Sequence, residues 1–164
     1  MQMKIAVDTN ILVRVILQDD LAQAKLANDL LMQASLIIVS LPCLCELVWV
    51  LRSWAKFSDE KIALILQKLL KIPNVEVNRI ATQNGIKMLQ KGGDFADAIM
   101  EYEGNILGCE MFYSFDKKAV NLLQEQGKNV KLTLIGKIID KQYQRLIPRG
   151  VRRRRNYARC VCAD

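Results

Sequence analysis

Short apolar runs alternate along the chain with stretches whose apolar residues recur every three or four positions. Residues 3–7 form a compact apolar run that predicts a buried strand. Over residues 21–34, Leu21, Ala24, Ala27, Leu30 and Leu31 fall at helical spacing, interrupted only by Lys25. Residues 36–39 are β-rich and predict a second strand, and Pro42 suits the first turn of a helix reaching about Trp54. Ser58 is placed to cap a further helix, with Asp59 and Glu60 where the helix dipole favours acids and Ile62, Ile65, Leu66 and Leu69 on one face. Pro73 and Asn74 end that helix, and residues 75–77 predict a short strand. A helix over 80–89 is broken by Gly92-Gly93, and another opens near Asp94 and closes at Gly108. Residues 111–115 predict a strand, 116–126 a helix stopped by Gly127, and 130–135 a last strand. Strands separated by helices imply parallel pairing, with a sheet covered on both faces: an α/β sandwich.

Composition narrows the chemistry. The 164 residues suffice for one domain with a sizeable core, and 51% hydrophobic against 25% charged is ordinary for a globular protein. There is no histidine, which excludes Ser-His-Asp and Cys-His sites, imidazole bases and the common zinc sites. Five cysteines without a C-x-x-C spacing fit free thiols in a reducing cytosol. The N-terminus lacks a signal-peptide layout, and the longest apolar stretch, residues 36–51, is interrupted by Ser40, Pro42 and Glu46. The expectation is a soluble, cytoplasmic protein with no membrane association.

The net charge of +7 points to an anionic partner, nucleic acid first. Residues 148–164, however, carry six arginines against one aspartate, which is five of those seven charges. About +2 is left for residues 1–147, the expected folded domain. The 148–164 tail lacks apolar periodicity, so it is expected to be disordered or loosely attached and is read as incidental to function.

Several carboxylates stand where polar helix faces do not explain them. Asp8 directly follows the first strand and Asp116 the fourth, which places both at the carboxyl edge where parallel α/β sheets bind ligands. Each would also serve as the N-cap of the helix that follows. Glu46 lies among Leu44, Cys45, Leu47, Val48 and Trp49, so a buried carboxylate is expected there, bound to a cation or bridged to a base such as Arg52. Asp94 and Asp97 lie three apart at a helix start; Asp94 is the better cap, and Asp97 is expected to face the core or a cleft. Glu101 continues that face and is expected to be a solvated polar position. Gathered together, such all-oxygen ligands suit Mg²⁺ or Mn²⁺ rather than zinc, and those ions promote phosphodiester cleavage without histidine.

At these residues the chain resembles the PIN-domain family, and within it the VapC-type bacterial ribonuclease toxins. The matching stretches are VDTNILVRVILQDD, CELVWVLRSW, GGDFADAIM and YSFDKKAV, in family order and spacing. The resemblance implies a three-layer α/β/α fold with a central parallel sheet, and a metal-dependent endoribonuclease. It also implies a homodimer held inactive by a cognate VapB-type antitoxin. By position, Asp8, Glu46, Asp97 and Asp116 would be the catalytic, metal-holding acids, with Asp94 auxiliary and Thr9 and Ser114 holding ligands or water through their hydroxyls. Hydrolysis would leave a 5′-phosphate and a 3′-hydroxyl. Arg14, Arg52, Lys117 and Lys118 are candidate clamps for the RNA backbone. Glu101 departs from the family, which tends to carry a small apolar residue there.

Two rivals use the same residues. A phosphatase of the haloacid-dehalogenase type also places an aspartate after strand one, but it wants a second acid where this chain has Asn10. A non-catalytic nucleic-acid-binding module would use the acids only as caps.

Overall fold

The computed structural model describes residues 3–133. The elements run β1 (Met3–Ala6), α1 (Thr9–Leu17), α2 (Leu21–Gln33), β2 (Ala34–Ile38), α3 (Leu41–Ser53), α4 (Asp59–Leu69), β3 (Val75–Glu76), α5 (Arg79–Gln90), α6 (Phe95–Ile106), β4 (Phe112–Ser114), α7 (Lys117–Glu125) and β5 (Val130–Leu132). The expected tail, residues 148–164, lies outside the described residues, as do 134 and 135 of the last predicted strand.

Every strand pairing is parallel. β1, β2 and β3 form one sheet in that order, with Ile5 opposite Ile37 and Ile37 opposite Val75. β4 and β5 form a second ladder, which backbone hydrogen bonds do not join to the first among the described residues. Seven helices with strands paired only in parallel, among the described residues, agree with the expected three-layer α/β/α fold, although the strands form two ladders rather than one.

Local chemistry explains where the helices begin. Ser40 accepts from the Cys43 N–H and Pro42 occupies the first turn of α3. Ser58 accepts from the Lys61 N–H, with Asp59 and Glu60 in the first turn of α4. Asp8, Asp94 and Asp116 cap α1, α6 and α7 in the same manner.

The main core is centred on α3 and α4, where Leu44, Leu47, Leu51, Ile62 and Leu66 are at most 1% exposed. Within 47–51 and 62–69, Leu47, Val48, Leu51, Ile62, Ala63 and Leu66 are core, while Trp49 and Leu64 are exposed. A second cluster joins α5, α6, α7 and β5 through Met88, Ala98, Val120, Leu123 and Val130. Between the two, α5 and α6 approach closely because Gly85 has no Cβ: one placed there would overlap the Phe95 ring, itself fully buried. This contact seats the first residue of α6, two positions before Asp97. No helix among the described residues is long and apolar enough to cross a membrane.

Candidate active site

One group of candidate residues forms where β1 hands over to α1. Asp8 lies in extended backbone and accepts the Ile11 N–H on Oδ1 at 3.1 Å. Its second oxygen takes no hydrogen bond or ion pair among the described residues. Thr9, buried in the first turn of α1, donates its hydroxyl to Glu46 Oε2 at 2.6 Å. That short hydrogen bond to a charged acceptor orients the Glu46 carboxylate from a rigid element.

Glu46 itself is exposed, not buried as its apolar neighbours predict. Pro42, Glu46 and Trp49 form a stripe along the outward face of α3, while Leu44, Leu47, Val48 and Leu51 face the core. An apolar tryptophan on the solvent side made a one-sided helix read as apolar all round. Nor does Glu46 pair with Arg52. Burial raises the pKa of the nearby Cys43 thiol; the Thr9 hydrogen bond opposes the rise, and the charges of Asp8 and Glu46 add to it. Both carboxylates therefore lie within electrostatic reach of one thiol.

The second group surrounds the start of α6. Gly92, at φ +74°, turns the chain out of α5, a backbone region that side chains other than glycine rarely adopt. Asp94 then caps α6 through Oδ1, which accepts the Ala96 N–H at 2.8 Å. Its Oδ2 takes Nη1 of Arg52 at 2.8 Å, so both of its oxygens are committed. Arg52 also donates from Nε to Asp59 Oδ1 at 2.9 Å and from Nη2 to the Gly93 carbonyl at 3.1 Å. This guanidinium is an internal tie between α3, α4 and the α6 N-terminus, rather than a clamp for RNA.

Arg14 is committed in the same way, to both oxygens of Asp19 at 2.7–2.8 Å and to Gln23 at 2.8 Å. Of the four candidate clamps, only Lys117 and Lys118 are exposed and without an ion pair among the described residues. Asp94 serves as the cap of α6 and as the anchor of Arg52.

Asp97 follows in the first turn of α6, partly buried. Burial pushes its carboxyl above the ordinary aspartate range, and the charges of Asp94 and Asp116 push it further. Asp116, two residues past β4, caps α7 through Oδ1, which accepts the N–H groups of Lys118 and Ala119 at 2.8 and 3.1 Å. Its Oδ2 is as uncommitted as that of Asp8. Ser114 reaches the backbone of this residue, not its carboxylate: the Asp116 N–H donates to Ser114 Oγ at 3.0 Å.

Glu101 is not solvated. It is 1% exposed, accepts from the Asn105 amide and pairs with Lys128 Nζ at 3.1 Å. The pair binds α6 to the turn before β5. Nothing local in the sequence marks Lys128 as its partner; the available signal was that Glu101 lies four residues beyond Asp97 on a helix with an apolar face.

The donor set can be tested against a divalent cation. Asp8, Glu46, Asp97 and Asp116 have no ion pair among the described residues, whereas Asp94 and Glu101 do. Four unneutralised carboxylates with no imidazole available fit a hard, oxygen-preferring ion. Among the described residues, no three acidic, cysteine or histidine side chains already converge on a single metal position. The fit is one of donor chemistry and charge.

No curated protein and no solved structure matches the chain. The family model for the PIN domain matches residues 5–121, a span running from β1 into α7 and taking in all four of these carboxylates. On that match the chain belongs to the PIN domain family.

Proposed function

We propose that this PIN domain is a Mg²⁺- or Mn²⁺-dependent endoribonuclease, the VapC-type toxin of a toxin–antitoxin pair. PIN domains are generally metal-dependent nucleases. The observation that carries the reading is the treatment of charge: Asp97 stands beside Asp94 and Asp116 with no cation of its own, in a chain that neutralises Asp94 and Glu101 internally. A half-buried carboxylate that feels two other acids and has no ion pair of its own is favoured by an added cation.

Asp8, Glu46, Asp97 and Asp116 would hold the ion. When bound, it supplies Lewis-acid stabilisation of charge developing on the phosphodiester and activation of water. Thr9 fixes the carboxylate of Glu46, and the capping hydrogen bonds fix Asp8 and Asp116 with one oxygen of each left over. Lys117 and Lys118 would take phosphates of the strand, a sequence-independent role. The products would carry a 5′-phosphate and a 3′-hydroxyl. The nuclease unit would be residues 1–147, working in the cytoplasm as a homodimer until a VapB-type antitoxin captures it.

The test is cleavage of RNA in Mg²⁺ and in EDTA. Cleavage that EDTA stops supports the reading. RNA bound equally well in EDTA and never cut favours a non-catalytic binding module, and turnover of phosphomonoesters alone favours a phosphatase.

A further inference from the structure

We infer that residues 113–118 form a reading edge for single-stranded RNA, on which the Phe115 and Tyr113 rings stack bases while Lys117 and Lys118 hold the adjoining phosphates. The inference rests on the nuclease reading for its location beside Asp116, and it names the residues that hold the strand at that site.

Three observations converge on this segment. The first is the exposure of its aromatic residues. Tyr113 is 59% and Phe115 66% exposed, and neither ring belongs to either core cluster, although Phe112 one residue earlier does. Tyr113 lies in β4 and Phe115 in the bend that follows it, two residues apart in the chain. Phe115 is the residue between Ser114 and Asp116, so its ring stands next to a proposed ion-holding carboxylate.

The second observation is the placement of the lysines. They occupy the first two positions of α7, at the positive end of the helix dipole, where acids are favoured and cations disfavoured. Neither pairs with an acid among the described residues, and the Lys118 ammonium lies about 3.4 Å from where a Cβ of Gly92 would be. It therefore sits over the turn that leads into Asp94 and Asp97. A local placement that works against the helix is explained when the charges serve a ligand.

The third is the loss of alternatives, because Arg14 and Arg52 are committed to internal partners. Of the four candidate clamps, those left without an ion pair among the described residues are the two lysines that follow the exposed rings. Exposed rings beside free cations are how proteins hold single strands: every base offers a π-face to stack, and the lysines track the backbone. A duplex keeps its bases stacked on each other and cannot use the rings.

The experiment compares the full-length chain with Phe115→Leu, which keeps apolar bulk without a ring, and Phe115→Trp, which keeps a ring. Affinity for a labelled single-stranded RNA oligonucleotide and for its duplex is measured in EDTA, and cleavage of the same strand in Mg²⁺. Phe115→Leu should weaken single-strand binding and raise KM about 5- to 100-fold with kcat little changed. Phe115→Trp should restore both, and duplex binding should not move. Lys117→Ala/Lys118→Ala should lower the salt slope of single-strand binding by about 1.4.

Unchanged single-strand affinity in Phe115→Leu overturns the inference, as does an equal loss on the duplex. A changed oligomeric state with unchanged RNA affinity also overturns it, by assigning the rings to a contact between copies of the chain. If binding depends on the ring while the wild-type chain cuts nothing, the reading edge stands and the nuclease reading falls.

Discussion

Replacing Lys128 with methionine keeps the side-chain stem and removes the charge that faces Glu101. Glu101 has a side chain only 2% exposed, against 28% for Lys128, so the consequences of breaking this pair are unequal. Without Lys128 the carboxylate keeps one hydrogen bond, from Asn105, and has no route to water. Removing one partner of a buried pair costs about 3–5 kcal/mol, because the other charge stays buried and uncompensated. For a chain of this length each kcal/mol is worth about 2–4 °C, so the melting midpoint should fall by about 6–20 °C. Glu101→Gln should cost only about 1–2 kcal/mol, since the amide can still accept from Asn105 and the partly exposed ammonium can reach water. Glu101→Leu/Lys128→Met, which removes both charges, should recover most of the Lys128→Met loss. Urea and thermal unfolding of the four proteins measure this directly. If Lys128→Met melts within a degree or so of wild type, or if the double variant is worse than either single one, the buried pair does not exist as described.

Two further outcomes follow from the packing and the electrostatics around α6. Gly85→Ala gains helix propensity but drives a methyl into the Phe95 ring, and it should destabilise by about 1–2 kcal/mol in urea unfolding; a more stable variant would show that α5 and α6 are not so close. Asp97 holds its proton to higher pH folded than unfolded, so it makes the folded state bind more protons between its ordinary pKa, about 3.9, and its raised one. Stability of the cation-free protein should fall as pH rises through that window and level off above it. Asp97→Asn should remove that decline and raise stability near neutral pH, and urea midpoints that fall equally in both proteins would contradict the assignment.

What could be read from the sequence was whatever short-range chemistry controls. Ser58, Asp94 and Asp116 cap helices because a side chain reaches N–H groups two or three residues on, and Pro42 opens α3 for an equally local reason. The order of elements and the PIN resemblance were legible from the same signals. Burial and pairing were not. Glu46 was expected inside because helical position does not reveal that Trp49 faces solvent. Glu101 was expected outside because its partner, Lys128, lies across a helix and a strand in the chain. Arg52 looked like a free cation until α3 and α6 were brought together and Asp94 and Gly93 met it. Each correction concerns a contact made by tertiary structure, which periodicity cannot express.

The central claim is that Asp8, Glu46, Asp97 and Asp116 support cation-dependent phosphodiester hydrolysis. It is tested most directly by end-group analysis of a labelled RNA incubated with the wild-type chain and with Asp97→Asn, across a Mg²⁺ titration and in EDTA. The wild type should cleave in a saturable, Mg²⁺-dependent manner and leave 5′-phosphate ends, with no cleavage in EDTA and none by the folded variant. Cleavage that persists in EDTA, or that Asp97→Asn retains in full, would contradict the claim.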